Sequence, residues 1–456
     1  MLPEEFLIRM KKLLGDEYDA FLSALEDKKA VRGLRINPQK CERENFLTLN
    51  TLPLTPIPYT DLGFILNSEE SVGNSPEHHS GRIYMQDPGA MAPLSSVEIP
   101  RGAKVVDLCA APGGKSGQTA AMIGEEGFLL SNEFVPKRAK ILVGNLERLG
   151  IKNAVVTSMD TSRLTDLFCE YFDFAIVDAP CSGEGMFRKN SEASAEWSVG
   201  NVQASAKRQR EILDNAASLV REGGYVIYST CTYSTEENEE TVDSFLSRHP
   251  EFSPVPVSQK IIDSTSPPIM TETNADRVKH CRRFYPHISK GEGQFLALLH
   301  KNASVLTTKV CKDASKPLSK YEKAIVDDFI KSNFTSIPDG RIVKHGENIV
   351  LLPSGIPLLP QGALFMAGVL IGEIQKGRLV PAHQLFSAYG ELFKRRLELS
   401  ESSAELSAYL SGEEISAPDG TENGWCVLTY KGSSLGGGKV VGGRIKNHYP
   451  KGLRNR

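Results

Sequence analysis

With 456 residues, 40% of them hydrophobic and 24% charged, the chain has the composition of an ordinary soluble protein and is long enough for two to four domains. A formal net charge of −3 excludes a uniform polycation, so a nucleic-acid partner would have to meet local basic patches. Glu4 and Glu5 within MLPEEFLIRM argue against a signal peptide, no later run approaches ~18 apolar residues, and eight cysteines without a CxxC pair argue against a zinc ribbon or a disulfide framework. A cytoplasmic protein with free thiols, no metal and no membrane contact is expected.

In chain order, Phe6, Met10, Leu13, Leu14, Phe21, Leu22 and Leu25 recur at helical spacing, and GLRINP and GFIL read as short strands among prolines. A small α+β extension over residues 1–80 is predicted. From about residue 103, apolar strand, turn and helix alternate through AKVVDL, GFLLSNE, NAVVTS, FDFAIVDAP and GGYVIYSTCT. That alternation predicts a mostly parallel, doubly wound sheet. RRFYPH and GQFLALLHK follow without a long helix between them and read as an antiparallel pair closing a seven-stranded core over 81–301. Residues 302–316 read as a linker before the helix-like YEKAIVDDFIKS. A first C-terminal domain over 317–385 and a second over 386–456 complete the expected organisation. Between Tyr430 and Arg456 lie Lys431, Lys439, Arg444, Lys446, Lys451, Arg454 and Arg456 and no acid, whereas Glu401 to Glu422 is acidic. The basic charge is concentrated at the tail.

AKVVDL runs directly into CAAPGGKS, where Gly113 and Gly114 allow a tight turn and close approach of a ligand before a helix begins near Lys115. Glu133 ends the next strand at the spacing from which a carboxylate accepts hydrogen bonds from ribose hydroxyls, and Asp160 follows the third, placed to receive an adenine amino group. These residues alone would also suit a nicotinamide dinucleotide. APGG is not GxGxxG, however, and its proline and lysine are unusual in a turn wrapped around a pyrophosphate. S-adenosylmethionine has no phosphate to wrap, and a short turn with Asp107 near its amino group suffices.

FDFAIV ends in Asp178-Ala179-Pro180-Cys181, and YVIYS ends in Thr230-Cys231-Thr232. In a doubly wound sheet these strands are neighbours whose ends line the cofactor crevice, so two thiols and a carboxylate converge there. A buried cysteine is otherwise a small hydrophobe. Carbon 5 of cytosine is a poor nucleophile; a soft thiolate adding at carbon 6, with an acid at N3, pushes electron density onto it. Loop amides and Lys115 could supply the field that favours a thiolate. A second cysteine suits the later removal of the carbon-5 proton, and spacing does not say which cysteine does which.

At these residues the sequence resembles the Nop/Sun family of RNA cytosine-5 methyltransferases, and most closely its bacterial 16S ribosomal RNA methyltransferase F group. The motifs are DLCAAPGGKS, SNEFVPKRAKIL, DAPCSGEGMFRK and YSTCTYSTEENE, preceded by GRIYMQDPGAM. The resemblance implies a Rossmann-like core, S-adenosylmethionine as cofactor and RNA as substrate.

 It further implies that Cys231 of the TC dipeptide is the nucleophile, that Cys181 of the PC dipeptide assists product release and that Asp178 contacts the cytosine. Cys109, Ala110, Ala111, Pro112, Gly113, Gly114 and Lys115 match the family's cofactor loop, with Glu133, Arg138, Asp160 and Asp178 as further cofactor contacts and Lys115 also near the target base. DNA cytosine-5 methyltransferases use the PC cysteine and lack the TC motif. The end of the chain is similar to the PUA-like RNA-binding domain of the methyltransferase F group, which favours 16S ribosomal RNA or the small subunit as partner of a monomeric enzyme. A transfer-RNA methyltransferase would share every core motif, and a catalytically silent RNA-binding assembly factor would share the fold.

Overall fold

The computed structural model describes residues 2–27, 30–69, 71–353, 355–360, 362 and 364–455. Among them the central sheet has nine strands. We number these β1 Lys104–Asp107, β2 Phe128–Asn132, β3 Ala154–Thr157, β4 Phe172–Asp178, β5 Val220–Thr230, β6 Phe252–Pro254, β7 Arg282–Phe284, β8 Gln294–Lys301 and β9 Leu364–Ala367. Their order is β6-β8-β5-β4-β1-β2-β3-β9, with β7 also paired to β8. Strands β1 to β5 are mutually parallel, and β8 runs antiparallel to β5. Strand order departs from β1 in both directions, which opens a crevice at the carboxyl ends of β1 and β4.

The parallel strands read as continuous apolar runs because both faces are covered. Val106, Leu130, Val155 and Val177 pack into one layer, and Val105, Leu129, Val156 and Ile176 into the other. All seven strands expected from the sequence lie in the sheet, and two more extend it. Strand β6 has three residues and contains Pro254, too short to show a period of two. Strand β9 comes from beyond the linker and pairs antiparallel with β3, covering an edge that would otherwise present unpaired backbone groups.

Before the core, helices Glu4–Leu14 and Tyr18–Glu26 precede a four-stranded sheet of Gly33–Ile36, Leu54–Pro56, Gly63–Leu66 and Ile83–Met85. The first helix has Glu4 and Glu5 in its first turn and Lys11 and Lys12 in its last, each sign favourable to the helix dipole. Its buried Phe6 and Met10, with Phe21 and Leu25 of the second helix, pack on Phe187, Trp197, Tyr233 and Tyr285 of the core. The N-terminal helices therefore brace the segments that follow Cys181 and Cys231.

After the core lie a four-stranded and a five-stranded sheet. The latter is fastened to the N-terminal part: Arg82 donates to the carbonyl of Lys431 at 2.9 Å, and Glu77 pairs with both Arg82 at 2.7 Å and Lys431 at 2.9 Å. His79 meets the Tyr449 hydroxyl at 2.7 Å. Among the described residues no helix is long and apolar enough to cross a membrane.

Candidate active site

Strand β1 ends in Asp107, and the chain turns through Cys109, Ala110, Ala111 and Pro112 to Gly113, whose φ of 114° lies where glycine is favoured. Helix Gly114–Ile123 begins there. The turn is tied down from outside: Ala110 N–H donates to Asn132 O at 2.9 Å, Arg138 Nη2 to Ala111 O at 3.0 Å and Asn145 Nδ2 to Pro112 O at 2.8 Å. A side chain on Gly114 would begin 3.3 Å from Tyr84 and Gln86. Tyr84, Gln86 and Asp87 join Asp107, Cys109, Pro112, Lys115 and Asp178 around a cavity of about 200 Å³. Those three come from the lead-in to the core, where no chemistry was read from the sequence.

Asp107 is fully buried; its Oδ2 accepts from Ser116 Oγ at 2.7 Å, while Oδ1 has no hydrogen-bond partner. Burial pushes its carboxyl up to about 7. Glu133, at the end of β2, is also buried, and its Oε1 accepts from Val135 N at 3.0 Å and Arg138 Nη1 at 3.3 Å. Its Oε2 lies 3.3 Å from Arg138 Nη1 without a hydrogen bond. Asp160 differs: it is exposed and caps helix Thr161–Leu167, with Oδ1 accepting from Ser162 N at 2.9 Å and Ser162 Oγ at 2.6 Å. Those two bonds hold its carboxyl below the usual range. Glu133, Arg138 and Asp160 lie outside the cavity lining, farther along the ends of β2 and β3.

On the other side of the crevice, β4 and β5 are parallel neighbours with Asp178 opposite Ser229. Asp178 Oδ1 accepts from Ser229 Oγ at 2.7 Å, and Oδ2 sits 2.7 Å from Lys115 Nζ. The Lys115 cation, which the sequence left available to a thiolate, is thus paired with Asp178. Just beyond, Cys181 Sγ and Cys231 Sγ are 3.1 Å apart. The contact with Cys231, together with burial, pushes the Cys181 thiol well up. Cys109 is pushed well up by burial and by Asp107, Asp178 and Glu133. Cys181 lines a second cavity of about 440 Å³ with Met186, Asn190, Trp197 and Arg208, and neither it nor Cys231 lines the first.

Sequence reasoning passed over the polar residues behind the thiols. Ser182 and Thr232, each following a cysteine, are 2.8 Å apart at their hydroxyl oxygens and lie between Glu237 and Glu184. The repeated Cys-Ser and Cys-Thr steps were a signal that could have found them.

The family model described as 16S rRNA methyltransferase RsmB/F matches residues 96–300. Models described as the N-terminal domain of 16S rRNA methyltransferase RsmF, the RsmF rRNA methyltransferase first C-terminal domain and the methyltransferase RsmF PUA domain match residues 2–88, 328–388 and 394–455. Over 99% of its length the chain is 30% identical to ribosomal RNA small subunit methyltransferase F of Erwinia tasmaniensis, covering 96% of that protein. The chain belongs to the RsmB/F family of rRNA methyltransferases. The methyltransferase F of Klebsiella pneumoniae is 31% identical over 99% of this chain and 96% of its own. NSun6 from Pyrococcus horikoshii, solved with SFG, shares the fold with a TM-score of 0.58 at 22% identity, over 66% of this chain and 99% of that one.

The methyl donor of this SAM-dependent family is S-adenosylmethionine. The residues present fit it. Buried acceptors without donors are costly unless a ligand completes them, and Asp107 Oδ1 and Glu133 Oε2 are two such oxygens at the ends of adjacent strands. They match the ammonium and the ribose hydroxyls that the cofactor carries.

Proposed function

We propose that this methyltransferase modifies carbon 5 of a cytosine in 16S ribosomal RNA through a covalent bond between Cys231 and carbon 6. The observation that carries the reading is the pair of thiols 3.1 Å apart beside the Lys115–Asp178 ion pair, at the carboxyl ends of β4 and β5. The names of the relatives support the small-subunit RNA as substrate.

Asp107, Glu133, Asp160 and the turn from Cys109 to Gly114 would hold S-adenosylmethionine, with Arg138 fixing the turn through Ala111. The cofactor supplies an electrophilic methyl group. The chain's own residues make the base reactive. The Cys231 thiolate forms a bond to carbon 6, and the electron pair of the 5,6 double bond moves toward carbon 5 while Asp178 and Lys115 hold the N3 edge. After methylation, Cys181 as thiolate takes the carbon-5 proton; that C–H pair restores the double bond, and the Cys231–carbon 6 bond breaks with its electrons returning to sulfur.

Cys231→Ala should be inactive and form no covalent RNA complex, while still binding S-adenosylmethionine. Cys181→Ala should add and methylate but stall, leaving a protein–RNA adduct on denaturing gels that requires both cofactor and RNA. The adduct in Cys231→Ala and not in Cys181→Ala would reverse the roles, and full activity in both would end the covalent reading. Bisulfite sequencing of 16S RNA from a deletion strain tests the substrate.

A further inference from the structure

Behind the thiols runs an unbroken chain of oxygens: Glu184 Oε2, Thr232 Oγ1, Ser182 Oγ and Glu237 Oε1. The first two contacts are each 2.8 Å, and Ser182 Oγ is hydrogen-bonded to Glu237 Oε1. Three hydrogen bonds between four oxygens need three hydrogens. The two hydroxyls supply only two, so one carboxyl carries the third. Glu184 has no room for it. Its Oε1 accepts from Ser234 Oγ at 2.6 Å and Trp197 Nε1 at 2.9 Å, and its Oε2 from Thr232 Oγ1 and from Tyr233 N at 2.8 Å. All four lone-pair sites are taken. On Glu237, Oε2 accepts from Ser182 N at 3.0 Å and Gln209 Nε2 at 2.8 Å, whereas Oε1 meets Ser182 Oγ alone. That leaves Glu237 Oε1 as the place for the third hydrogen, from which it would be donated to Ser182.

We propose that Glu237 is a positioning residue for the cysteine pair, acting as a neutral carboxylic acid that locks the loop of Cys181 to the loop of Cys231 through Ser182 and Thr232. This rests on the reading that the two thiols are the reacting groups. The chain runs Glu237 to Ser182 to Thr232 to Glu184, each hydroxyl passing its hydrogen one step toward Glu184. Two further contacts serve the same registration: Gly185 N donates to Cys231 O at 2.9 Å, and Gln209 Nε2 to Pro180 O at 3.0 Å. Loss of the Glu237 hydrogen would break the first link and place two carboxylates at the ends of a chain that has only two hydrogens.

The surroundings are consistent with a neutral acid. Burial pushes the Glu237 carboxyl up to about 7, and nearby Glu184 pushes in the same direction. The groups facing it are Cys181 and Glu184 on the loop after β4, Tyr228 on β5, whose hydroxyl donates to Glu237 O at 2.5 Å, and Gln209 on helix Val199–Leu219, with Arg210 of that helix acting on Tyr228. The neighbouring Glu236 is neutralised by Arg9 at 2.6 Å. The acid form is present below about pH 7 and is lost as pH rises through that value.

The test is single-turnover methyl transfer by the full chain to 16S ribosomal RNA, from pH 5.5 to 9, for wild type, Glu237→Gln and Glu237→Ala. Glutamine keeps a donor toward Ser182 Oγ and an acceptor toward Ser182 N at every pH, so Glu237→Gln should support transfer where Glu237→Ala loses most of it. The ratio of the Glu237→Gln rate to the wild-type rate cancels ionisation of the thiols. It should be about tenfold higher at pH 8 than at pH 6, as one ionisation near pH 7 requires. S-adenosylmethionine affinity should be the same in all three proteins. A flat ratio, or a Glu237→Gln protein as inactive as Glu237→Ala at every pH, overturns the proposal. If Glu237→Ala does not fold, the pH ratio alone decides. Cys231→Ala in the same series separates the two readings: methyl transfer by that variant removes the cysteine reading, whereas a flat ratio with an inactive Cys231→Ala removes only the role of Glu237.

Discussion

Glu133→Ala should weaken S-adenosylmethionine binding by roughly 10- to 150-fold. The figure follows from one hydrogen bond to an ionised acceptor, about 1.5 to 3 kcal/mol, at tenfold per 1.4 kcal/mol. The structure supports counting one such bond, because Oε1 is already engaged by Val135 N and Arg138 and only the buried Oε2 lacks a hydrogen bond. Glu133→Gln retains an acceptor for Val135 and loses the charge, so its loss should be smaller. Asp160→Ala is the contrasting case. Its carboxylate is exposed and caps a seven-residue helix, so the variant should cost about 1 kcal/mol of local helix stability and less affinity than Glu133→Ala. Isothermal calorimetry on the full chain, with circular dichroism as a check on folding, measures all three. Unchanged affinity in a folded Glu133→Ala protein would refute the assignment of the ribose to this carboxylate.

Among the described residues, the basic tail divides into cations held by acids or carbonyls and cations that meet neither. Lys431 is held by Glu77 and Arg454 donates to Tyr449 O, whereas Lys439 lies across from both Trp425 and Lys446 on neighbouring strands, 5.2 Å from the Trp425 ring; Arg456 lies outside the described residues. Lys439→Ala with Lys446→Ala should flatten the log–log salt dependence of RNA binding by about 1.4 to 1.8 if both meet phosphates, at about 0.7 to 0.9 each, and Lys431→Ala should leave it alone. An unaltered slope in the double variant would show that RNA docks elsewhere. Lys301, at the end of β8, is buried with Nζ on Glu170 at 2.9 Å, Ala217 O at 2.8 Å and Val220 O at 2.9 Å. Lys301→Met should destabilise the core by about 1 to 3 kcal/mol, since Ala217 O and Val220 O lose their donor while Glu170 keeps Ser304 Oγ, Val305 N and Leu306 N; this is read as an earlier denaturant midpoint, and an unchanged midpoint would contradict it.

What could be read from the sequence was whatever local periodicity and turn chemistry encode. The apolar runs of β1 to β5 announced a parallel sheet, and Gly113 announced the turn, because only a residue tolerant of positive φ takes that conformation cheaply. The helix Lys320–Asn333 was marked by its apolar spacing, and the Ser319–Glu322 capping box at its start was there to be read as well. Contacts made across the fold left no such mark. β9 reaches β3 from a distant segment, and Tyr84, Gln86 and Asp87 reach the cavity from the lead-in. The pairing of Lys115 with Asp178 is likewise a matter of where β1 and β4 lie in space.

That pairing joins the two halves of the chemistry. Lys115 stands in the first turn of the helix that follows β1, so its position depends on the same tight turn that shapes the cofactor cavity. Asp178 ends β4, three residues before Cys181, and also accepts from Ser229, two residues before Cys231. One carboxylate therefore touches the cofactor turn, the strand carrying one thiol and the strand carrying the other. Lys115 is 7% exposed and Asp178 36%, so the pair is shielded from solvent on its lysine side, where screening is weaker. A shift of the cofactor turn would be felt at Asp178, and through Ser229 at β5. In the proposed reaction the sheet's switch point would register methyl donor and thiol pair against each other through side chains as well as backbone, while the Ser182–Thr232 contact would fix the two thiols.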